Sequence, residues 1–356
     1  MSTLPLSDSR PHLRGYLTAG YVLFIIYVSL TPFNWQDQGL SFYDVLSAPL
    51  AQTFTGFDFV LNLTSYLLLG LLTGTLLHHR MPDHRMLFGS TLCGLLLSAG
   101  LEYLQMYLPG RVSSNTDLLS NMLGALSGSV ITALIYRNAW NAKFHELHNH
   151  LFKHGSLYDF GLALLALWLF AQTNPSLPML GSVFIREVAR WPFDIVPATP
   201  FSWLESAEVA SNLVLLGILL STLLRIRKHT PGVLVLLLGI VTLIKFVAAI
   251  LLLKSWALLI WLDSEALSGI IAGIILLLFL LHLSQKGILI AGAATALAYL
   301  ALVQDLLTDS RIATVRRLFH WHYIHLLNYN GFSQIAIQLF PLLMLLYLWR
   351  TGAQRK

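Results

Sequence analysis

Seven polar residues interrupt otherwise apolar sequence between positions 57 and 128: Asp58, Asn62, Glu102, Gln105, Arg111, Asp117 and Asn121. Asp58 and Asn62 are one helical turn apart, and so are Glu102 and Gln105. Asp117, Asn121, Gly124 and Gly128 follow at intervals of four, three and four, so each set shares one helix face. An ionisable group at membrane depth costs several kcal/mol unless it finds a partner, so these residues are expected to face one another across a helix bundle and form a site. Two chemistries suit the set. Asp58, Glu102 and Asp117, with the amide oxygens of Asn62 and Gln105, offer the hard oxygen ligands that Mg²⁺ or Ca²⁺ prefers. Alternatively, one carboxylate is a general base while Arg111 holds the phosphate or pyrophosphate of a lipid headgroup bidentately. A third reading is architectural, a buried hydrogen-bond and ion-pair network that fixes helix register. No Ser-His-Asp order, phosphate-binding glycine loop or complete zinc motif accompanies the set. His145-Glu146-Leu147-His148-Asn149-His150 brings its second histidine one residue too early for H-E-x-x-H and reads as a solvated amphipathic loop. No metal or other cofactor is assigned.

The elements that must position these residues are membrane spans. The chain has 356 residues, of which 56% are hydrophobic and only 11% charged, arranged as repeated apolar runs of membrane-crossing length. The pattern predicts an all-α polytopic integral membrane protein of about ten spans, roughly 15 to 33, 57 to 77, 86 to 108, 117 to 136, 157 to 173, 206 to 224, 232 to 253, 264 to 283, 287 to 306 and 333 to 350. The formal charge of +5 would suit nucleic acid, but the distribution of Lys and Arg excludes it as the implied partner, because they sit in short loops and form no stripe. Those loops carry a two-to-one basic excess on the side of both termini, which places the termini in the cytoplasm and Asp58, Glu102, Arg111 and Asp117 toward the extracytoplasmic face. The lone Cys93 excludes an internal disulfide. Lys245, inside the seventh span, is expected to snorkel or to pair with Asp263 or Glu265. The long loop from 174 to 205, with Arg186, Arg190, Trp191 and Trp203, reads as an interfacial collar or a lid. Arg316-Arg317 and His320-Trp321-His322-Tyr323 read as an amphipathic outer segment lying on anionic lipid headgroups.

Laid over itself, the chain repeats. The segment from Tyr66 to Arg80 aligns without gaps on that from Leu213 to Arg227, and Gly94, Gly124 and Gly128 fall on Gly239, Gly269 and Gly273. Asp58 then meets Glu205, whereas Glu102, Arg111, Asp117 and Asn121 meet Val247, Trp256, Leu262 and Ala266. The second copy keeps the scaffold and loses the polar set. The expected division is a four-helix unit over 1–136, a degenerate repeat over 137–286 and two C-terminal helices over 287–356.

In order, Asp58-x-x-x-Asn62, Glu102-x-x-Gln105, Pro109-x-Arg111 and Asp117-x-x-x-Asn121-x-x-Gly124-x-x-x-Gly128 resemble the VanZ-like family of bacterial membrane proteins over about residues 15 to 136. The resemblance implies a protein of the bacterial cytoplasmic (inner) membrane and cell envelope, linked to antibiotic resistance of the teicoplanin type. Membrane lipids are its immediate partners. The expected function is binding or processing of an amphiphilic envelope component, a lipid-linked glycan or a lipoglycopeptide, at the extracytoplasmic face. The alternatives are a non-catalytic scaffold for envelope or exopolysaccharide assembly proteins and a cation-coupled transporter.

Overall fold

The computed structural model describes residues 11–39, 41–47, 56–109, 111, 113–138, 140–182, 201–308 and 324–354. Among these residues the architecture is helical, with one isolated bridge between Phe152 and Leu224. The chain forms two compact units, 1–150 and 151–356.

The first unit contains α1 (Pro11–Leu30), α2 (Phe42–Ser47), α3 (Gly56–His78), α4 (Asp83–Gln105) and α5 (Asn115–Arg137), and most of α6 (Trp140–Leu151). Its closest pair is α3 and α5, with α4 packed on both and α1 on α3 and α4. Small residues make that approach possible: a Cβ at Gly124 would strike the Leu63 carbonyl, and one at Gly128 the Leu67 carbonyl. From the other helix, a Cβ at Gly70 would strike the carbonyl of Ala125. The buried face of α4 runs Met86, Ser90, Gly94, Ser98 and Glu102, a stripe of period four that ends in the carboxylate. The expected loop carrying His145 to His150 is instead the helix α6, whose interspersed polar and apolar residues fit helical periodicity.

The second unit holds α7 (Ser156–Gln172), α8 (Trp203–Leu223), α9 (Thr230–Leu252), α10 (Ser264–Leu280), α11 (Gln285–Thr308) and α12 (Ile324–Ala353). At its centre is α8, 83% buried over its apolar window against 17–44% for the other long helices; α10, α11, α9 and α7 pack around it, and α12 packs on α7 and α11. Glycines again mediate close approach, with a Cβ at Gly269 reaching the Ser206 carbonyl at 2.5 Å and one at Gly273 the Ala210 carbonyl at 3.0 Å. Gly239, aligned on Gly94, has nothing within 4 Å.

The described residues that follow α7 do not form a surface loop. Residues 174–182 are all buried, and side chains satisfy their backbone groups. Gln172 Oε1 accepts from Leu180 N at 3.0 Å, and Asn212 Nδ2 donates to the Leu180 carbonyl at 2.6 Å. Lys245, fully buried on α9, donates through Nζ to the carbonyls of Asn174 (2.8 Å), Leu177 (2.9 Å) and Pro178 (3.4 Å). It does not snorkel; irregular backbone at membrane depth must be satisfied inside the protein, and this ammonium does so. Arg186, Arg190 and Trp191 lie outside the described residues, as does the segment from Arg316 to Tyr323.

Among the described residues, eight helices are long and apolar enough to cross a membrane, and α7 and α10 are apolar but have 17 residues each. The protein is an all-helical polytopic membrane protein in which every span expected from the sequence corresponds to a helix.

Candidate functional site

The seven residues gather where α1 ends, α3 begins, α4 ends and α5 begins. Asn62 on α3 donates through Nδ2 to Asp117 Oδ1 on α5 at 2.8 Å. Asn121, one turn deeper on α5, turns to the other neighbour and donates to Ser98 Oγ on α4 at 2.9 Å; its own Oδ1 is buried without a partner. Helix α5 therefore sits between α3 and α4 and sends one polar side chain to each. Asp117 is half-buried and interacts electrostatically with half-buried Asp58.

Glu102 is 4% exposed and serves the start of α5. Its Oε2 accepts from Ser114 N at 3.0 Å, and its backbone carbonyl accepts from Ser113 Oγ at 2.7 Å. Ser114 is the N-cap of α5, its side chain accepting from Thr116 N at 3.1 Å. A carboxylate from one helix thus completes the cap of the next, where the helix dipole favours negative charge.

Gln105 and Arg111 turn away from this set toward α1. Gln105 Nε2 donates to the Ser29 carbonyl at 3.1 Å, and Arg111 Nη2 to the carbonyls of Val28 (3.0 Å) and Thr31 (3.4 Å). Val28 and Ser29 belong to the last turn of α1 and Thr31 follows it directly; carbonyls there lack helical partners, and the dipole end attracts a cation. Two further bonds fasten the same junction, from Gln36 N to the Tyr107 carbonyl at 2.7 Å and from Gln38 Nε2 to the Met106 carbonyl at 2.9 Å. Arg111, expected to face the other polar residues, instead caps α1 and feels Glu102 electrostatically. Burial draws its guanidinium below the ordinary value, and the charge of Glu102 opposes that drop. The divalent-cation reading finds no ligand cage: among the described residues no group of three or more His, Cys, Asp or Glu side chains can hold a metal ion.

The sequence reading offers Ser113, Ser114, Asn115 and Thr116 as caps for the following helix, and Ser114 is the N-cap of α5; it leaves out Ser98, although the period-four stripe Ser90, Gly94, Ser98, Glu102 marks that position. It also took the second unit to have lost its polar set. There, Glu208 is 1% exposed and takes a hydrogen bond from Ser182 N at 3.2 Å, and Asp263 caps α10 by accepting from Ala266 N at 2.7 Å. Glu205-x-x-Glu208 at helical spacing and Asp263-Ser-Glu265 before an apolar run were the available signals.

Fold and site together define a polytopic helical membrane protein with a polar, carboxylate-bearing end on its first unit. Residues 6–136 match the VanZ/LLP1 family model. The first unit is therefore similar to the family that its motifs resemble. No curated protein and no solved structure matches the chain.

Proposed function

We propose that the first unit binds the polar head of an amphiphilic cell-envelope component, a lipid-linked glycan or a lipoglycopeptide, at the extracytoplasmic face of the bacterial cytoplasmic membrane. The family match supports a cell-envelope role linked to glycopeptide resistance. One observation carries the finer reading: Asp117, held by Asn62 and repelled by the charge of Asp58, is half-buried, whereas Glu102, Gln105 and Arg111 are engaged with backbone groups. Two accessible carboxylates beside an amide form an acceptor-rich surface. Its complement is a ligand rich in donors, such as the hydroxyls of a sugar, and hydrogen bonds to charged acceptors are the strong ones.

The test expresses the full chain in a bacterial host and measures teicoplanin susceptibility together with photo-crosslinking to a lipid-linked glycan probe. Asp58→Asn and Asp117→Asn should each abolish the susceptibility shift and the crosslink at unchanged membrane levels. Retention of both effects in the doubly neutralised chain would defeat the reading.

A further inference from the structure

Helix α6 has 12 residues, so it is about 18 Å long at about 1.5 Å per residue and cannot cross a hydrocarbon core of about 30 Å. Both of its ends are nevertheless tied to helices of spanning length. At its start, two residues separate it from Arg137, where α5 ends. At its end, the chain is bonded to the last turn of α8: Arg225 N donates to the Leu151 carbonyl at 3.0 Å, Lys153 N donates to the Leu223 carbonyl at 2.9 Å, and Phe152 bridges Leu224. Helix α6 is thereby held where spans reach the membrane surface, which is the cytoplasmic surface in the orientation set by the basic excess of the loops.

We propose that α6 lies in the plane of the cytoplasmic leaflet and binds anionic phospholipid headgroups there, fastening the connection between the two units to the lipid. By register, Trp140, Phe144, Leu147 and Leu151 share one face, within an arc of about 60° at about 3.6 residues per turn. Lys143 and His150 flank that face on one side and His148 on the other, while Glu146 and Asn149 lie across the helix from it. This is the distribution of an interfacial helix, with an apolar face for the acyl boundary, a lysine at its rim to reach the phosphates and the acidic residue toward water. The described side chains agree: Leu147 is 57% exposed on that face, and Lys143, Glu146 and His150 are exposed as well. The charge favours an anionic surface. Lys143 stands at the rim, Arg137 precedes the helix with its side chain 69% exposed, and Lys153 and Arg225 follow at the junction with α8. Lipid is also the partner that the spans at either end already bring to the helix, whereas a protein partner would have to displace it. The inference uses no residue of the site proposed for the first unit and is independent of that function.

The experiment reconstitutes the full chain in nanodiscs of phosphatidylcholine with or without phosphatidylglycerol, carrying Cys93→Ser so that an introduced label is unique. A spin label is attached at Leu147→Cys or at Glu146→Cys, and its collisions with oxygen, which concentrates in the bilayer, are compared with those of a water-soluble nickel chelate. With phosphatidylglycerol present, the label at position 147 should meet oxygen more than nickel and the label at 146 the reverse. The lipid-seated population at 147 should grow with the phosphatidylglycerol fraction and shrink as salt is raised. Lys143→Gln, a change at an exposed position, should lower the ratio of seated to released helix about fivefold, the worth of one basic residue at an anionic surface. Three results would each overturn the proposal: equal exposure of both positions to nickel, shielding of position 147 from both reagents, which would mean that protein covers it, and equal seating with and without phosphatidylglycerol, which would leave an apolar contact that binds no anionic headgroup.

Discussion

Arg111 and Lys245 are both engaged with backbone carbonyls, and this explains why these acceptors could not be read beforehand, although Asp263, an expected partner of Lys245, does act on it electrostatically. Every residue carries a carbonyl, so the acceptors of these cations have no signature in the sequence, whereas Asn62 and Asp117 announced themselves by polar type at helical spacing on apolar spans. The capping role has a measurable consequence. Arg111→Ala should lower the stability of the chain in detergent by about 1.5–3 kcal/mol, the range for hydrogen bonds involving a charged group, with Gln105→Ala costing less. Restored crosslinking in Arg111→Ala at a temperature where the variant is folded would separate this latch from the acceptor pair at Asp58 and Asp117. Asp263 gives a pH signature. Burial pushes its carboxyl up to about 6 from the ordinary 3.8, with Glu265 and Glu205 adding to the rise and the Ala266 amide opposing it. The folded chain then holds this proton more tightly than the unfolded chain, so the contribution of Asp263 to stability falls as pH rises from about 4 to about 6. Asp263→Asn should melt above the wild type at pH 8 and no higher than it at pH 4, as followed by thermal unfolding in detergent; the opposite ordering would contradict burial as the dominant influence.

Helix packing follows from where side chains are absent. On α5, Gly124 and Gly128 meet backbone of α3, so an added methyl has nothing flexible to displace and the helices must separate. Gly128→Ala should destabilise by about 1–3 kcal/mol, the usual cost of overpacking. Gly239→Ala, with open space around it, should change stability by less than about 0.5 kcal/mol, and thermal unfolding of the two variants side by side checks the contrast. The helices themselves were legible because apolar runs of spanning length have few other structures available in a membrane. The α6 helix and the buried turn at 174–182 were not, since short polar segments carry weak periodicity and the turn depends on Asn212, Gln172 and Lys245 from elsewhere in the chain. We read α8 and α10 as the counterparts of α3 and α5, with a register change. The alignment equates Leu63 with Ala210, yet Gly269, the counterpart of Gly124, meets Ser206, one turn earlier. Sliding by a turn keeps the glycine-to-carbonyl approach and brings different side chains of α8 against α10.

At the scale of the whole molecule, the open matter is how many helices cross. At about 1.5 Å per residue, the 17 residues of α7 and α10 reach about 26 Å, short of a hydrocarbon core of about 30 Å. Eight and ten crossings are both even, so each leaves the two termini on the same side and a reporter at the C-terminus cannot choose between them. Interior positions can. With ten crossings and a cytoplasmic N-terminus, the turn between α8 and α9, which holds Arg225, Arg227 and Lys228, lies in the cytoplasm, and the turn at Lys254 between α9 and α10 lies outside. With eight, in which α7 and α10 dip in without crossing, these two assignments exchange. Basic residues are retained on the cytoplasmic side, and three in one short turn against one in the other favour ten. Both arrangements keep Ser114 outside, so a reporter active only in the cytoplasm should be silent there and active after Gln354. The same reporter should be active at His229 and silent at Ser255. Activity at Ser255 with silence at His229 would establish eight crossings, and activity at Ser114 would reverse the orientation on which the extracytoplasmic site depends.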